Sequence, residues 1–188
     1  MRIIAGDYKG RKIFEPLDKE TRPLKDLTKE SIFNILEHSK NAKIPIKKSN
    51  VLDVFSGTGS FGLECISRGA SKVYFIEQHK PSIKVLIKNI EKLNCEKKVK
   101  LFSENVFDLK EIKKIRENKF NIIFLDPPYK EKNIILLLNE INEMNILIDK
   151  GIIVLHRHKK SNDNFDSKFK ILRTKNYGIS NIIFGKFI

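Results

Sequence analysis

Three groups of residues in this chain have the types and spacing that chemistry requires. The first is Asp53-Val-Phe-Ser-Gly57-Thr-Gly59-Ser-Phe-Gly62. Its glycines let the backbone turn tightly and approach a ligand closely, with the amides of a following helix aimed at it. Alone, such a pattern is as compatible with an ordinary packed loop as with a binding site. Asp53 shifts the balance, because a carboxylate would repel a pyrophosphate and attract an ammonium or sulfonium group. The second is Glu77, twenty residues after Gly57, where a strand-end carboxylate accepts two hydrogen bonds from a ribose diol. The two together point to a nucleoside ligand, either a nicotinamide dinucleotide or S-adenosylmethionine.

The third group, Asp126-Pro127-Pro128-Tyr129, separates these two. Its prolines fix the backbone, remove two N–H donors and leave carbonyls exposed. Asp126 adds a carboxylate acceptor and Tyr129 a flat ring for stacking. Those are the parts that hold an exocyclic amine of a nucleobase: carboxylate and proline carbonyl take its two N–H bonds while the ring stacks on the tyrosine. A conjugated amine is a poor nucleophile, and acceptors on its hydrogens favour a more tetrahedral nitrogen. Hydride transfer requires none of this.

The elements that must position these groups alternate between strand and helix from Val51 onward. Short strands are predicted at Val51–Phe55, Lys72–Ile76, Val99–Phe102, Phe120–Leu125 and Gly151–Leu155, the fourth apolar enough for the sheet centre. Helices are predicted at Ser60–Ser67, from Pro81, at Leu109–Arg116 and at Asn133–Asn145. In the second of these, Ile83, Leu86, Ile87, Ile90 and Leu93 share a face at helical spacing. Lys168–Arg173 and Ile179–Phe187 read as a closing hairpin around Asn176-Tyr177-Gly178. At the start, Arg2–Ala5 and Arg11–Phe14 read as two short strands, followed by a helix from about Thr28. This implies an α/β, mainly parallel sheet with right-handed crossovers and an antiparallel C-terminal hairpin. A ligand then sits beyond the carboxyl ends of the strands, which is where all three groups fall.

Lys plus Arg number 37 against 23 Asp plus Glu, a net charge of +14. Nucleic acid is the natural partner of such a surface. The same Lys-Ile-Asn excess is also what an AT-rich genome writes into any protein, so the placement of the basic residues must decide. The stretch from Lys150 to Lys175 is strongly basic and reads as a rim beside the catalytic strand ends or as a solvated face. Two cysteines, Cys65 and Cys95, read as helical packing residues and suit a reducing cytoplasm. No apolar leader and no run of about eighteen apolar residues is present, so neither signal peptide nor membrane association is expected. His156 and His158 face one side of a strand end with no carboxylate or cysteine cluster to complete a metal site, so no metal is expected. An RNA-facing role suits them better.

DVFSGTGSFGLE, the strand-end Glu77 and DPPY resemble the class I S-adenosylmethionine-dependent methyltransferases of amino groups. With RIIAGDYKGRKI, TRPLKDLTKESIFNIL, LDVFSGTGSFGLECISRGA and IIFLDPPY, the resemblance extends over almost the whole chain to the bacterial 16S rRNA (guanine-N2)-methyltransferase family. It implies a Rossmann-like class I sheet over residues 45–188, with an N-terminal hairpin and helix, residues 1–44, contacting RNA and cofactor. The implied cofactor is S-adenosylmethionine, and the implied reaction is methyl transfer (EC class 2.1.1) to the N2 amine of a guanine in small-subunit rRNA. Gly57, Gly59 and Gly62 would shape the cofactor loop beside Asp53. Glu77 would hold the ribose and Asn105 would lie by the adenine edge. Arg22, with Glu30 and Asn34, would close over the methionine end. Asp126, Pro127, Pro128 and Tyr129 would form the base site, and Arg2, Lys9, Arg11 and Lys12 would touch RNA. The substrate is free rRNA or a 30S particle, and a monomer is expected. Two departures stand out: Leu155-His156-Arg157-His158 where related sequences often carry an acidic residue, and Ser56-Gly57-Thr58 in place of Ala-Gly-Ser. Since DPPY is shared with adenine-N6 enzymes of DNA or RNA, that activity is the alternative, with a non-catalytic RNA-binding assembly factor as the rival from another class.

Overall fold

The computed structural model describes residues 1–16, 24–108 and 115–188. In chain order the elements are α1 (Asp26–His38), β1 (Asn50–Val54), α2 (Ser60–Ser67), β2 (Lys72–Ile76), α3 (Lys80–Leu93), β3 (Val99–Phe102), β4 (Phe120–Leu125), α4 (Ile134–Glu143), β5 (Leu147–His158), β6 (Phe169–Tyr177) and β7 (Ser180–Phe187). The strands form one sheet in the order β3-β2-β1-β4-β5-β7-β6. The first five are parallel, and β7 runs antiparallel between β5 and β6. Phe120–Leu125 occupies the centre, as its apolar composition requires.

Strand alternation divides the core into two. Val51, Val73, Phe75, Ile122, Phe124, Ile152 and Val154 pack with α1, α2 and α3 on one face. Leu52, Tyr74, Ile76, Ile123, Leu125, Ile153 and Leu155 pack with α4 on the other. On the first face Phe61 of α2 stacks between Phe33 of α1 and Phe124 of β4, at 5.1 and 4.0 Å. Gly62 lets α2 lie close against β2, because a Cβ there would stand 2.3 Å from the Phe75 ring.

Several boundaries differ from the sequence reading, each for a local reason. The N-terminal strands reduce to one antiparallel bridge, Arg2 with Lys12, because the segment lies on helix α2 and not on a sheet edge. α1 begins at Asp26, two residues early, its carboxylate complementing the helix dipole. In α3 the buried face runs through Ser82, Val85, Leu86, Asn89, Ile90 and Leu93. Ile87 is therefore exposed, and Asn89 takes a core position because it binds the N-terminal segment. α4 is shorter than expected at both ends, and β5 extends from Leu147 to His158 because β4 and β7 pair along it. The hairpin turns at Gly178-Ile179, with Tyr177 opposite Ser180. Cys95 lies just past α3 and not within it. Both cysteines are buried, which pushes Cys65 up and Cys95 to about 11. The helix expected at Leu109–Arg116 falls mostly on 109–114, outside the described residues. Among those described, no helix is long and apolar enough to cross a membrane.

A buried polar network fastens residues 1–14 and α1 to the sheet layer. Glu64 of α2 is fully buried and accepts the amides of Ile4 and Ala5 at 2.7 and 2.9 Å and Arg68 Nε at 2.9 Å. Lys29 of α1, also fully buried, donates to the Arg2 carbonyl and Ser60 Oγ and stands 3.8 Å from Glu64. Burial pulls the Lys29 ammonium down, opposed by the nearby carboxylates of Glu64 and Asp26. Asn89 accepts the Phe14 amide and donates to the carbonyls of Phe14 and Thr58. Removing one member strands the others without water. Glu64→Ala should therefore lower unfolding free energy by about 3–5 kcal/mol, and Glu64→Gln by less, as read from urea denaturation.

Candidate active site

At the end of β1 the chain turns through Phe55, Ser56 and Gly57, with left-handed φ of 58° at Phe55 and 54° at Gly57. Gly59, at φ 82°, caps α2, and a Cβ there would meet Leu86 at 2.3 Å. The loop is held by two carboxylates. Glu77 Oε2 accepts the Gly57 amide at 2.6 Å, and its Oε1 accepts the amides of Gln78 and His79. Asp53 Oδ2 accepts the Gly62 amide at 2.9 Å. Glu77 thus organises the glycine loop through backbone amides.

Asp53 is 1% exposed, and among the described residues its Oδ1 has no hydrogen-bond partner. Burial raises its pKa well above the usual carboxylate value. The Gly62 hydrogen bond opposes this, and the charges of Asp126 and Glu77 add to it. A buried, unpartnered carboxylate oxygen beside two other carboxylates is an electrostatic setting for a cation. Phe55 and Phe107 flank the same end of the sheet, their rings 6.1 Å apart. Asn105, after β3, is exposed and folds an Asx turn onto the Phe107 amide.

Asp126 to Tyr129 follow β4 directly. The register sets Val54 opposite Leu125, and the Asp126 amide donates to the Val54 carbonyl at 3.3 Å. Both loops therefore leave the sheet together, at the point where strand order reverses between β1 and β4. Pro127 is buried and Pro128 exposed, with the Pro128 carbonyl taken by the Glu131 amide.

Neither motif reading of the sequence anticipates what β5 contributes. His156 Nδ1 lies 2.7 Å from Asp126 Oδ1. The His158 ring stands edge-on to Tyr129 at 4.9 Å, and Tyr129 Oη pairs with Ser180 Oγ at 2.9 Å. Arg157, on the opposite face, grips Asp163 with two hydrogen bonds and the Glu131 carbonyl with a third. Leu155-His156-Arg157-His158 is thus the buttress of the proline loop. The signal was available in part: adjacent parallel strands with ends in register bring the residues just beyond those ends together.

The remaining expected residues scatter. Glu30 and Asn34 are exposed on α1, and Asn34 lines a groove with His38, Arg173, Lys175 and Tyr177. Lys29 is the α1 residue that reaches the amino end of α2. Arg22 lies outside the described residues. Arg2, Lys9, Arg11 and Lys12 are all exposed. Arg2 and Lys12 pair at the open end of the N-terminal hairpin, whereas its turn docks on Ser67 at the far end of α2. The Lys150–Lys175 stretch is not one rim. Lys150 and Lys168 lie toward the amino end of the sheet, while exposed Lys159, Lys160 and Lys175 lie by the carboxyl ends.

A family model described as conserved hypothetical protein 95 matches residues 1–186. The chain belongs to that family. Within reach of it, ribosomal RNA small subunit methyltransferase D of Haemophilus influenzae is 32% identical over 182 residues, covering 95% of this chain and 90% of that one. The solved structure of a candidate methyltransferase from Escherichia coli, yhhF, is 25% identical with a TM-score of 0.80, covering 100% of this chain and 97% of that one. Another methyltransferase candidate, SMU.776, complexed with SAH, shares the fold at 18% identity and a TM-score of 0.65, covering 85% of this chain and 49% of that one. The family member described here has the class I methyltransferase fold.

Asp53 has a testable consequence for stability. Its folded pKa lies above its unfolded value, so the folded state keeps the proton to higher pH. The stability linked to that proton is complete below about pH 3.9 and is lost as pH rises through the folded value. Asp53→Asn retains an acceptor for Gly62 and removes the buried charge. It should be more stable than the parent at about pH 7–8, with the difference vanishing toward about pH 4, as urea denaturation at a series of pH values will read.

Proposed function

We propose that this protein transfers a methyl group from S-adenosylmethionine to the N2 amine of a guanine in small-subunit rRNA. The observation that carries the reading is the Asp126–Val54 hydrogen bond, which joins the acceptor loop to the glycine loop in one crevice. The residues present suit the cofactor. Asp53 Oδ1, buried and unpartnered, answers a positive charge, and Glu77 and Gly57 stand where a ribose diol would lie. Asn105 would border the adenine, and Glu30, Asn34 and Arg22 remain the candidates for the methionine end. When bound, S-adenosylmethionine supplies a sulfonium-borne methyl group, whose carbon bonds to the amine nitrogen as the C–S pair stays on sulfur.

This chain's own residues would hold and aim the amine. Asp126 Oδ2 and the Pro127 carbonyl accept its two hydrogens, the Pro128 carbonyl being already engaged. Tyr129, steadied by Ser180 and His158, supplies the stacking face. The base must leave its neighbours to enter such a crevice. Exposed Arg2, Lys12, Lys159, Lys160 and Lys175 are placed to meet phosphates near the crevice, with Lys9 and Arg11 farther along the hairpin.

Incubation of the protein with methyl-labelled S-adenosylmethionine and small-subunit rRNA, free or as 30S particles, should yield label on guanine N2. Label on adenine N6 would make the adenine alternative correct. Cofactor binding without transfer to any nucleic acid would favour an assembly factor. Asp126→Ala should cut single-turnover methyl transfer by about 10²–10³ while leaving RNA affinity nearly unchanged, because phosphates supply most of that affinity. Glu77→Ala removes both a ribose acceptor and the Gly57 anchor, so it should weaken cofactor binding about ten- to a hundredfold by calorimetry.

A further inference from the structure

β5 ends in His156, and its side chain is aimed by two facts of the sheet. Alternation puts it on the face of Ile152 and Val154, toward α1–α3. The register of Leu125 with Leu155 then sets it beside Asp126, one step beyond each strand. The two side chains are 10% and 21% exposed, with Nδ1 and Oδ1 2.7 Å apart. A carboxylate can only accept, so the proton of this bond belongs to Nδ1, and the neutral ring keeps its lone pair on Nε2. Among the described residues, Asp126 Oδ2 carries no hydrogen bond.

We propose that His156 is a positioning residue for methyl transfer that makes the reaction sensitive to mildly acid pH. The inference rests on the methyltransferase reading given above. Neutral His156 fixes the rotation of the Asp126 carboxylate through Oδ1 and leaves Oδ2 for the target amine. The amine nitrogen sheds one proton as it gains the methyl group, and Oδ2 accepts that proton and returns it to water. Protonation of Nε2 turns the ring into an imidazolium 2.7 Å from the acceptor. Its positive charge neutralises the carboxylate and weakens it both as a hydrogen-bond acceptor and as a proton acceptor.

Among the described residues, the charged and titratable groups around His156 are few. β4 contributes Asp126, and the loop after it contributes Tyr129, whose ring is edge-on at 6.5 Å. Its own strand carries Arg157, turned to the other face and paired with Asp163, and His158, whose Nδ1 accepts the Lys160 amide. β7 presents Ile182 and Ser180, neither of which titrates. Beyond Asp126 stand the carboxylates of Asp53 and Glu77. His156 is thus the titratable side chain in direct hydrogen-bond contact with the acceptor carboxylate.

Two measurements test this. In the cofactor-free protein, ring ¹⁵N shifts should show neutral His156 protonated on Nδ1, moving toward the Nε2-protonated form in Asp126→Ala. In single-turnover methyl transfer to rRNA, the parent rate should fall as the pH is lowered into the mildly acid range, approaching about tenfold per pH unit. His156→Ala should lose about 10- to 100-fold at pH 8. His156→Asn, whose amide N–H replaces the Nδ1 donor, should recover part of that loss and show no acid limb down to about pH 5.5, with SAH affinity as a folding control. An Nε2-protonated ring in the parent, a fully active His156→Ala, or an acid limb persisting in His156→Asn overturns the inference. A parent that transfers no methyl to any guanine overturns the functional reading instead, and the ring tautomer then still decides the geometry.

Discussion

Parallel pairing between β1 and β4 is the constraint on which the crevice depends. Because Val54 stands opposite Leu125, the two loops that follow rise from the sheet at the same height. The Asp126 amide then donates to the Val54 carbonyl, so the acceptor loop is fastened to the base of the glycine loop. A shift of one residue in this register would turn Asp126 to the face of α4 and away from Asp53. The two strands can hold that register because both are buried on both faces, and every slip would cost apolar contacts.

Carboxyl groups are concentrated at this end of the sheet, in Asp53, Glu77 and Asp126. Each carboxylate is tied to the protein differently. Glu77 is spent largely on backbone amides, Asp53 is half satisfied in the core, and Asp126 is shared with His156. Such clustering raises the cost of folding in the absence of a cation, and that cost is offset by packing elsewhere, notably the Phe33–Phe61–Phe124 stack. A site held under electrostatic stress by a rigid scaffold is the arrangement expected where binding a positive ligand must be favourable.

The N-terminal segment owes its position to buried polar groups and not to strand pairing. Glu64, Lys29 and Asn89 occupy helix positions that an amphipathic pattern would fill with apolar residues, and each satisfies backbone of residues 1–14 or the glycine loop. The segment and α1 therefore share one core with the sheet. Through Lys29 and Ser60, the same network touches the amino end of α2, where the glycine loop ends.

Much of this was legible in the chain itself. Apolar runs of four to six residues ending in Asp, Glu or Gly could only be short buried strands, and strand–helix alternation requires parallel crossovers. Gly57, Glu77 and Asp126 were therefore assignable to strand ends, because local pattern determines where a strand stops. What local pattern does not carry is which residues meet across strands. Glu77 reads as a free acceptor until the Gly57 amide is seen to occupy it. Ile87 reads as core until Asn89 is seen to claim that face of α3 for the N-terminal segment. His156 and His158 read as an RNA surface until β4 and β5 bring them against Asp126 and Tyr129. Propensity and periodicity are properties of neighbours along the chain, whereas these pairings depend on register and on burial. Only tertiary structure, through the loss of water from a shared interior, decides which polar groups must find one another.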